Sequence, residues 1–246
     1  MAFDFNYFGK SVGIDLGTAN TLIYLSGRGI VVNEPSIAAV NVKTGSVFAI
    51  GNEAKKMLGR TPNYVNVVRP LVNGVISDFE MTQEVMRHFL KRLSGTSPFF
   101  SYRRAVVGIP SNLTEVERKS VEDAIVGAGV RNAYLIEESL AAAIGARLPI
   151  QDPTANMIVD IGGGTTEIAV ISMGGTVTSK SLKIAGDKLN DDIIRFIRDE
   201  FRLVIGEPTA EELKIAIGSA VQMDDKSELA VRGRDLTTGL PKEVIV

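Results

Sequence analysis

The chain contains one local pattern twice, and this repeat limits its possible folds more than any other feature. The two copies are VGIDLGTANTLIYL, which runs from Val12 to Leu25, and MIVDIGGGTTEIAVI, which runs from Met157 to Ile171. Each copy is an apolar run that ends in Asp, then a cluster of Gly and Thr, then a second apolar run, the pattern of two strands joined by a tight turn. The repeat therefore predicts two related halves that face one shared ligand.

Composition excludes several classes of protein. The 246 residues carry a net charge of −2, with 27 Lys plus Arg against 29 Asp plus Glu, so no basic field indicates a nucleic-acid partner. The chain has no Cys, which excludes disulfides and thiolate metal sites and fits a reducing compartment. No apolar run reaches the roughly 18 to 20 residues that cross a bilayer, and the N-terminus lacks the order of a secretory signal. We therefore expect a cytoplasmic protein.

Strands and helices alternate along the sequence, which predicts an α/β fold. The predicted strands cover 12–16, 20–25, 29–32, 36–42, 104–109, 133–136, 156–161, 166–172 and 176–184, and the predicted helices cover 79–94, 114–127, 139–147, 187–204 and 209–219. Two helices begin with a capping-box pattern, formed by Thr114 with Glu117 and by Thr209 with Glu212. The helix predicted from residue 187 has an apolar stripe for packing, made of Leu189, Ile193, Ile197 and Phe201.

The repeated turn is suited to holding phosphate groups. Glycines let backbone N–H groups approach phosphate oxygens and Thr hydroxyls add donors, so two such turns facing each other would clamp a polyphosphate. Asp15 and Asp160 end the first strand of each copy, and a carboxylate there is expected to meet donors or a cation, with Mg²⁺ the natural candidate. The alternative is two ordinary β-hairpins, in which Gly allows the turn geometry and Asp forms a local turn.

A third segment points to the same site. It is LIEESLAAAIGARLP, from Leu135 to Pro149, which predicts a strand ending in two carboxylates and then a helix of small residues that can pack closely against a neighbour. A carboxylate at the end of that strand would face the cleft between the two halves, where it could act as a base.

Three motifs carry a resemblance to a known superfamily. GIDLGTANT, IEESLAAAIG and DIGGGTTEIAVIS resemble the first phosphate, connecting and second phosphate motifs of the actin and heat-shock-chaperone ATPases. Within that superfamily the chain most resembles the MreB family of bacterial actins, through segments such as VRPLVNGVISDF, VVGIPSNLTEVERKSV and VRGRDLTTGLP. The resemblance covers nearly the whole chain. It implies a two-lobed, actin-like fold with ribonuclease H-like mixed sheets.

The resemblance also implies a function and a set of partners. The family consists of ATPases that use ATP and Mg²⁺ and polymerise with copies of themselves into filaments at the inner face of the cytoplasmic membrane. These filaments direct rod shape and work with the proteins of cell-wall elongation. Two alternatives stay open: a small-molecule kinase with the same phosphate clamp, and a truncated, non-hydrolysing partner that co-assembles with a full-length paralogue.

The family's subdomains map onto four parts of this sequence. Residues 1–38 and 73–150 would form the first nucleotide-binding lobe and 39–72 a small insertion in it, while 151–187 would form the second phosphate-binding lobe and 188–246 a helical and strand insertion. The family continues for roughly another domain's worth of sequence, which includes a Gly-rich loop for adenosine. We therefore expect the second lobe to be incomplete, in a truncated product or a fragment of a longer chain.

The family's site residues carry over position by position. Asp15 would hold Mg²⁺ through water, Asp160 would share its water shell, and Glu138 would orient or deprotonate the attacking water with help from Thr165. The phosphates would lie between two sets of residues, namely Gly17, Thr18, Ala19, Asn20 and Thr21 on one side and Gly162, Gly163, Gly164 and Thr165 on the other.

Two further features concern the nucleotide site: a pair of residues expected to contact adenosine, and a departure from the family's connecting motif. Glu211 and Lys214 lie on one helix face and would contact adenosine, although a solvated ion pair fits the residue pattern nearly as well. The family has Pro after the second glutamate of the connecting motif, whereas this chain has Ser139, which is itself a good helix cap.

One loop resembles the membrane-insertion loop of the family. The segment SPFFSYRRA places Phe99 and Phe100 close to Arg103 and Arg104, and basic residues beside exposed aromatic ones favour anionic lipid. The alternative is that these aromatic residues lead into a core strand.

Overall fold

The computed structural model describes residues 10–94, 102–222 and 228–246. The chain divides into two compact units, Met1–Lys183 and Ile184–Val246. The mixture of strands and helices confirms the predicted α/β class. The finer division into four subdomains stays a prediction.

The elements of the described residues are numbered in chain order. The strands are β1 Lys10–Leu16, β2 Asn20–Leu25, β3 Gly29–Pro35, β4 Ala38–Asn41, β5 Val47–Ile50, β6 Val65–Val68, β7 Leu71–Val72, β8 Val75–Ile76, β9 Tyr102–Ile109, β10 Val130–Glu137, β11 Asn156–Ile161, β12 Thr166–Ser172, β13 Gly175–Leu182, β14 Leu203–Val204, β15 Ala230–Asp235 and β16 Pro241–Ile245. The helices are α1 Asn52–Met57, α2 Phe79–Ser94, α3 Glu115–Gly127, α4 Glu138–Gly145, α5 Gly186–Phe201 and α6 Glu207–Ile217.

A five-stranded sheet in the order β10-β9-β1-β2-β3 forms the centre of the first unit. Strands β1, β9 and β10 run parallel to one another, and β2 and β3 follow as antiparallel neighbours. Alternate residues of β1 are buried, as expected for a strand with one face on a core. That core contains Ile14 and Ile23 from the sheet together with Phe89 from α2 and Ile125 from α3.

Three smaller sheets complete the first unit. They have the strand orders β5-β4-β6, β7-β8 and β11-β12-β13. Helix α4 connects β10 to the segment that leads into β11, and it packs on β11 and β12. Because α4 directly follows β10, residues at its start lie at the carboxyl edge of the five-stranded sheet.

The second unit has its own core. Helices α5 and α6 pack together, and the sheet has the order β14-β15-β16. Its buried side chains include Ile197 from α5, Leu203 from β14, Leu213 from α6 and Val231 from β15. Strand β16 pairs antiparallel with β15 at one edge of this sheet.

Elements with strong local signals were predicted well. Strands β2, β11 and β12 and helix α2 have the predicted bounds. Strands β5 to β8, β14, β15 and β16 and the short helix α1 were not predicted. The helix predicted over 187–204 ends at Phe201, because Arg202 adopts a left-handed conformation with φ 55° and the next two residues pair with β15.

One of the two predicted capping boxes is confirmed, and the other is wrong. Thr114 accepts a hydrogen bond from the Glu117 N–H, and the Glu117 carboxylate accepts one from the Thr114 N–H. Helix α6, however, starts before Thr209, with Gly206 as its N-cap residue and without a side-chain cap. The early start has a physical reason, since the missing N–H and fixed φ of Pro208 suit the first helical turn.

The predicted packing stripe of α5 needs one correction. Ile193, Ile197 and Phe201 pack in the core of the second unit, as predicted, but Leu189 is 47% exposed. Asn190, the next residue, is buried instead, and its side-chain amide donates to Glu211 Oε2 over 2.7 Å. The buried face at this end of the helix is therefore polar.

None of the helices in the described residues combines the length and the apolar character needed to cross a membrane.

Candidate functional site

The first half of the site lies at the carboxyl edge of the five-stranded sheet. Parallel strands end at the same edge, so the ends of β1, β9 and β10 meet there. Asp15 lies opposite Gly108 of β9, and Glu138 begins α4 directly after β10. A Cβ atom added to Gly108 would lie 3.3 Å from Glu138 Cγ, so the glycine makes room for the glutamate beside Asp15.

The second half is the turn between β11 and β12. Ile161 pairs with Thr166, and the Gly162 N–H donates to the Thr165 carbonyl over 2.9 Å, which closes the turn. Asp160 sits one residue before the end of β11. This is the strand, turn and strand arrangement that the repeat predicts.

The two Gly and Thr turns face each other at close range. A Cβ atom added to Gly163 would lie 2.5 Å from Ala19 Cβ, and one added to Gly164 would lie 2.7 Å from Thr18 Oγ1. Real Cβ atoms do not approach other atoms this closely, so only glycine fits at either position without a shift of the neighbouring turn. The predicted juxtaposition of Thr18 and Ala19 with Gly163 and Gly164 is thus present.

A third turn, which was not predicted, completes this contact. Strands β7 and β8 form a hairpin whose two central residues, Asn73 and Gly74, have φ values of 51° and 76°. The Gly74 N–H donates to Thr18 Oγ1 over 2.9 Å, and a Cβ atom on Gly164 would lie 3.0 Å from the Asn73 Cα. An Asn-Gly pair between apolar residues is the strongest short signal for a hairpin, so the sequence contained the information.

Ser36 stabilises the first turn from inside the protein. Its role was not predicted from the sequence. Its hydroxyl donates to the Gly17 carbonyl over 2.7 Å and lies 2.8 Å from Thr21 Oγ1. Thr21 is fully buried, whereas Asn20 is exposed. The structure thus gives Thr21 a supporting position behind the turn, and its contact with phosphate stays a prediction.

The carboxyl groups of the site raise one another's pKa. Burial raises the pKa of Glu138 to about 8, and the negative charges of Asp15, Asp160 and Glu167 act in the same direction. Solvent reaches part of the Asp15 side chain, yet protein atoms make up most of its surroundings, and this burial together with Asp160 raises the pKa of its carboxyl. Burial, followed by the charge of Glu167, raises the pKa of Asp160. The site is therefore electrostatically strained unless positive charge enters it.

Mg²⁺ fits this arrangement only as a largely hydrated ion. Within residues 10–94, 102–222 and 228–246, no group of three His, Cys, Asp or Glu side chains is arranged to hold a metal directly. Mg²⁺ commonly keeps several waters and takes one or two carboxylates plus phosphate oxygens as its other partners. Asp15 and Asp160 supply such carboxylates next to the two turns, so the residues present fit the ion.

Two interactions that were not predicted join the central sheet to the β11-β12-β13 sheet. The Ser111 hydroxyl donates to Glu167 Oε2 over 2.7 Å. The Thr176 hydroxyl donates to Glu137 Oε2 over 2.8 Å. Both acceptors are carboxylates next to residues of the site. Each bond joins residues that are far apart in sequence, so only the three-dimensional structure reveals it.

The role expected for Ser139 is wrong. The N-cap residue of α4 is Glu137, without a side-chain cap, so Ser139 does not cap the helix. Ser139 is buried within the first turn of α4, and in the described part of the chain its hydroxyl has no hydrogen-bond partner.

Glu211 and Lys214 lie in the second unit. Lys214 Nζ is 2.6 Å from Glu211 Oε2 and donates to the Gly186 carbonyl over 3.1 Å. The pair is half-buried and links α6 to the start of α5, so it is more than a solvated ion pair. Its contact with adenosine stays a prediction.

Phe99 and Phe100, the expected membrane residues, lie outside the described residues.

The fold and the facing turns define an actin-like protein. The chain resembles a MamK double helical filament structure with a TM-score of 0.77, at 23% identity over 96% of this chain and 72% of the other, which supports the fold. The chain belongs to the MreB/Mbl protein family, whose model matches residues 9–246.

Individual relatives are consistent with this membership. The chain is 47% identical to the cell shape-determining protein Mbl of Bacillus subtilis (strain 168), over 97% of this chain and 72% of the relative. It is also 47% identical to the cell shape-determining protein MreB of Escherichia coli (strain K12), over 96% and 69%. A crystal structure of MreB5 of Spiroplasma citri bound to ADP matches with a TM-score of 0.91 at 40% identity, over 97% of this chain and 71% of that one.

The raised pKa of Glu138 predicts a change of stability with pH. The pKa rises from 4.5 to about 8 on folding, so between these values the folded chain keeps a proton that the unfolded chain releases. Stability should therefore fall as pH rises through this window. Gln cannot titrate, so Glu138→Gln should gain stability relative to the unsubstituted chain between about pH 5 and about pH 8. Urea denaturation in EDTA measures the difference, and a constant difference across the window would contradict the assignment.

Proposed function

We propose that this chain is an actin-like protein that binds and hydrolyses Mg·ATP and polymerises into filaments that help to determine cell shape. The observation that carries this proposal is the direct opposition of two Gly and Thr turns next to Asp15, Glu138 and Asp160. Family membership supports it, since relatives are named as cell shape-determining proteins and the MreB5 structures contain AMPPNP or ADP.

The two turns act by binding and orienting the phosphates. Glycine at positions 163 and 164 leaves no side chain between the turns, so backbone N–H groups can reach phosphate oxygens. A small separation of the turns would admit the ligand, because their closest approach involves glycine and short side chains. Thr18 and Thr165 are buried beside this space and offer hydroxyl groups at its sides.

The carboxylates divide the remaining tasks. Asp15 and Asp160 would hold water molecules of a hydrated Mg²⁺, and the ion would supply the positive charge that phosphoryl transfer requires. The same positive charge would favour the ionised form of Glu138, whose pKa is raised by burial and by neighbouring negative charges. Glu138 can then accept a proton from the attacking water, which Thr165 helps to orient. Nucleotide binding and activation of the base are thus coupled through charge.

The adenosine and protein partners belong to the proposal as well. Glu211 and Lys214 would contact adenosine, and copies of the chain would be its filament partners. Cell-wall elongation proteins would be further partners at the inner face of the cytoplasmic membrane, where the filament would lie peripherally. No basic surplus favours nucleic acid, since the net charge is −2.

Substitution of Glu138 tests the proposed base. Glu138→Ala should slow ATP hydrolysis by about two to four orders of magnitude while Mg·ATP still binds, because a positioned base contributes that much. Single-turnover phosphate release and isothermal titration measure the two quantities. The matched control is Glu137→Gln, which keeps an acceptor for Thr176 at the neighbouring position. Equal turnover by Glu138→Ala and the unsubstituted chain would remove Glu138 from the mechanism.

Sedimentation separates the filament from the small-molecule kinase. We propose that assembly depends on the bound phosphates, so the chain should pellet at high speed with Mg·ATP and stay in the supernatant without nucleotide. A kinase would stay in the supernatant under both conditions. Failure to pellet while Mg·ATP is bound would contradict filament formation by this chain.

We further propose that Phe99 and Phe100 insert into anionic membranes, on the support of their sequence alone. The double substitution Phe99→Ser with Phe100→Ser should weaken liposome binding by a few kcal/mol, since burial of one large apolar side chain contributes roughly 1.5–3 kcal/mol. The control is Phe48→Ser, which removes an aromatic side chain that is 53% exposed on β5. Unchanged liposome binding by the folded double variant would contradict the proposal.

A further inference from the structure

Glu167 is a buried carboxylate whose position links both halves of the site. It lies on β12 with 2% of its surface exposed, directly opposite Asp160 of β11. Side chains of directly opposed residues in an antiparallel pair point to the same face of the sheet. The Glu167 side chain therefore stands beside Asp160, and its negative charge acts on both Asp160 and Glu138.

Ser111 anchors this carboxylate from the other sheet. Glu167 Oε2 accepts the Ser111 hydroxyl over 2.7 Å and the Ser111 N–H over 3.4 Å. Ser111 follows the end of β9 by two residues, so it belongs to the carboxyl edge that carries Asp15 and Glu138. The bond therefore spans from the first half of the site to the second.

The anchor depends on one oxygen of the carboxylate. In the described part of the chain, Glu167 Oε1 accepts no hydrogen bond. Ser111 therefore supplies the contacts that fix the buried side chain; loss of the Glu167 carboxylate removes both of them, and loss of the Ser111 hydroxyl removes the shorter one. A Gln side chain offers a carbonyl oxygen to the same donors, whereas Ala offers none.

We propose that Glu167 is a positioning residue of the phosphate site, which through Ser111 fixes the β11–β12 turn relative to the sheet edge that carries Asp15 and Glu138. Asp160 precedes this turn and Thr165 lies in it, so their distance from Glu138 depends on the connection. The catalytic consequence rests on the proposed ATPase function. The fixed position of the β11–β12 turn does not depend on that function and should be present without nucleotide.

Three variants and a control test the proposal. Glu167→Ala removes both hydrogen bonds, Ser111→Ala removes the short hydroxyl bond and leaves only the 3.4 Å bond from the backbone N–H, and Glu167→Gln keeps the acceptor but removes the charge. Ser172→Ala is the matched control, since Ser172 is also half-buried, lies on β12 and donates to the backbone carbonyl of Pro153. Thermal unfolding of each variant establishes that it is folded.

Amide hydrogen exchange without nucleotide is the first measurement. Residues 162–166 should exchange at least about tenfold faster in Glu167→Ala and in Ser111→Ala, since turn opening becomes easier when its tertiary anchor is lost. The Glu167→Gln and control variants should match the unsubstituted chain. Unchanged exchange in the two Ala variants would overturn the proposal, whatever the outcome of any ATPase assay.

Single-turnover hydrolysis is the second measurement. The two Ala variants should each lose about tenfold or more in rate while Mg·ATP affinity stays within about threefold, because misplaced catalytic groups lower the rate of the chemical step. The Ser111→Ala and Glu167→Ala double variant should be no slower than Glu167→Ala alone, since the Ser111 hydroxyl acts through the Glu167 carboxylate. Glu167→Gln should recover most of the rate that Glu167→Ala loses, because it keeps the acceptor for Ser111, although it also removes a charge that acts on Asp160 and Glu138. A Gln variant as slow as Glu167→Ala, or additive losses in the double variant, would overturn the positioning role.

Absence of hydrolysis by the unsubstituted chain would refute the proposed ATPase and leave the exchange measurement decisive for Glu167. The two failures are therefore distinguishable.

Discussion

Repulsion among carboxylates in a partly buried space is the interaction on which the rest of the site depends. Burial raises the pKa of Asp15, Glu138 and Asp160, and the charges of neighbouring carboxylates, Glu167 among them, act in the same direction, so that the pKa of Glu138 reaches about 8. Concentrated negative charge of this kind reduces stability unless protons or cations neutralise it. A hydrated cation carried by phosphates would relieve the repulsion and ionise the base in the same step. On the proposed function, ligand binding and catalytic competence would then follow from one electrostatic cause.

The backbone creates this concentration of charge by bringing strand ends together. Strands β1, β9 and β10 end at one edge of the central sheet and place Asp15 close to Glu138. The turn between β11 and β12 approaches the first turn so closely that Gly163 and Gly164 cannot carry a Cβ atom without displacing it. Hydrogen bonds from Ser111 to Glu167 and from Thr176 to Glu137 connect the two sheets. Rigid strands therefore hold the carboxylates in place despite their repulsion.

The sequence predicted the parts of the site that are local in the chain. Both strand, turn and strand units were identified, because their apolar runs, aspartates and glycines are contiguous. The connections between them were missed, since the contact of Ser111 with Glu167 joins residues far apart in sequence. One sequence signal for the burial of Glu167 was available. Glu167 lies on the same face of β12 as the buried Ala169 and Ile171, and an acidic residue on a buried strand face is unusual.

Local signals also failed where a competing signal was stronger. The Thr209 pattern satisfied the rule for a capping box, but Pro208 and Gly206 started the helix earlier. The apolar stripe of α5 predicted burial of Leu189, whereas the interaction of Asn190 with Glu211 turned the polar residue inward. A tertiary hydrogen bond determined which residue of α5 is buried, and helical periodicity alone cannot predict such a bond.

The dependence of nucleotide affinity on Mg²⁺ tests the central claim most directly. Isothermal titration with ADP should be performed in Mg²⁺ and in EDTA, on the unsubstituted chain and on the double variant Asp15→Asn with Asp160→Asn. The account predicts that Mg²⁺ tightens binding by at least about tenfold, or 1.4 kcal/mol, and that this gain is lost in the double variant. Equal affinity in Mg²⁺ and EDTA, or a full gain in the double variant, would contradict the claim that the carboxylates assemble around a cation delivered with the phosphates.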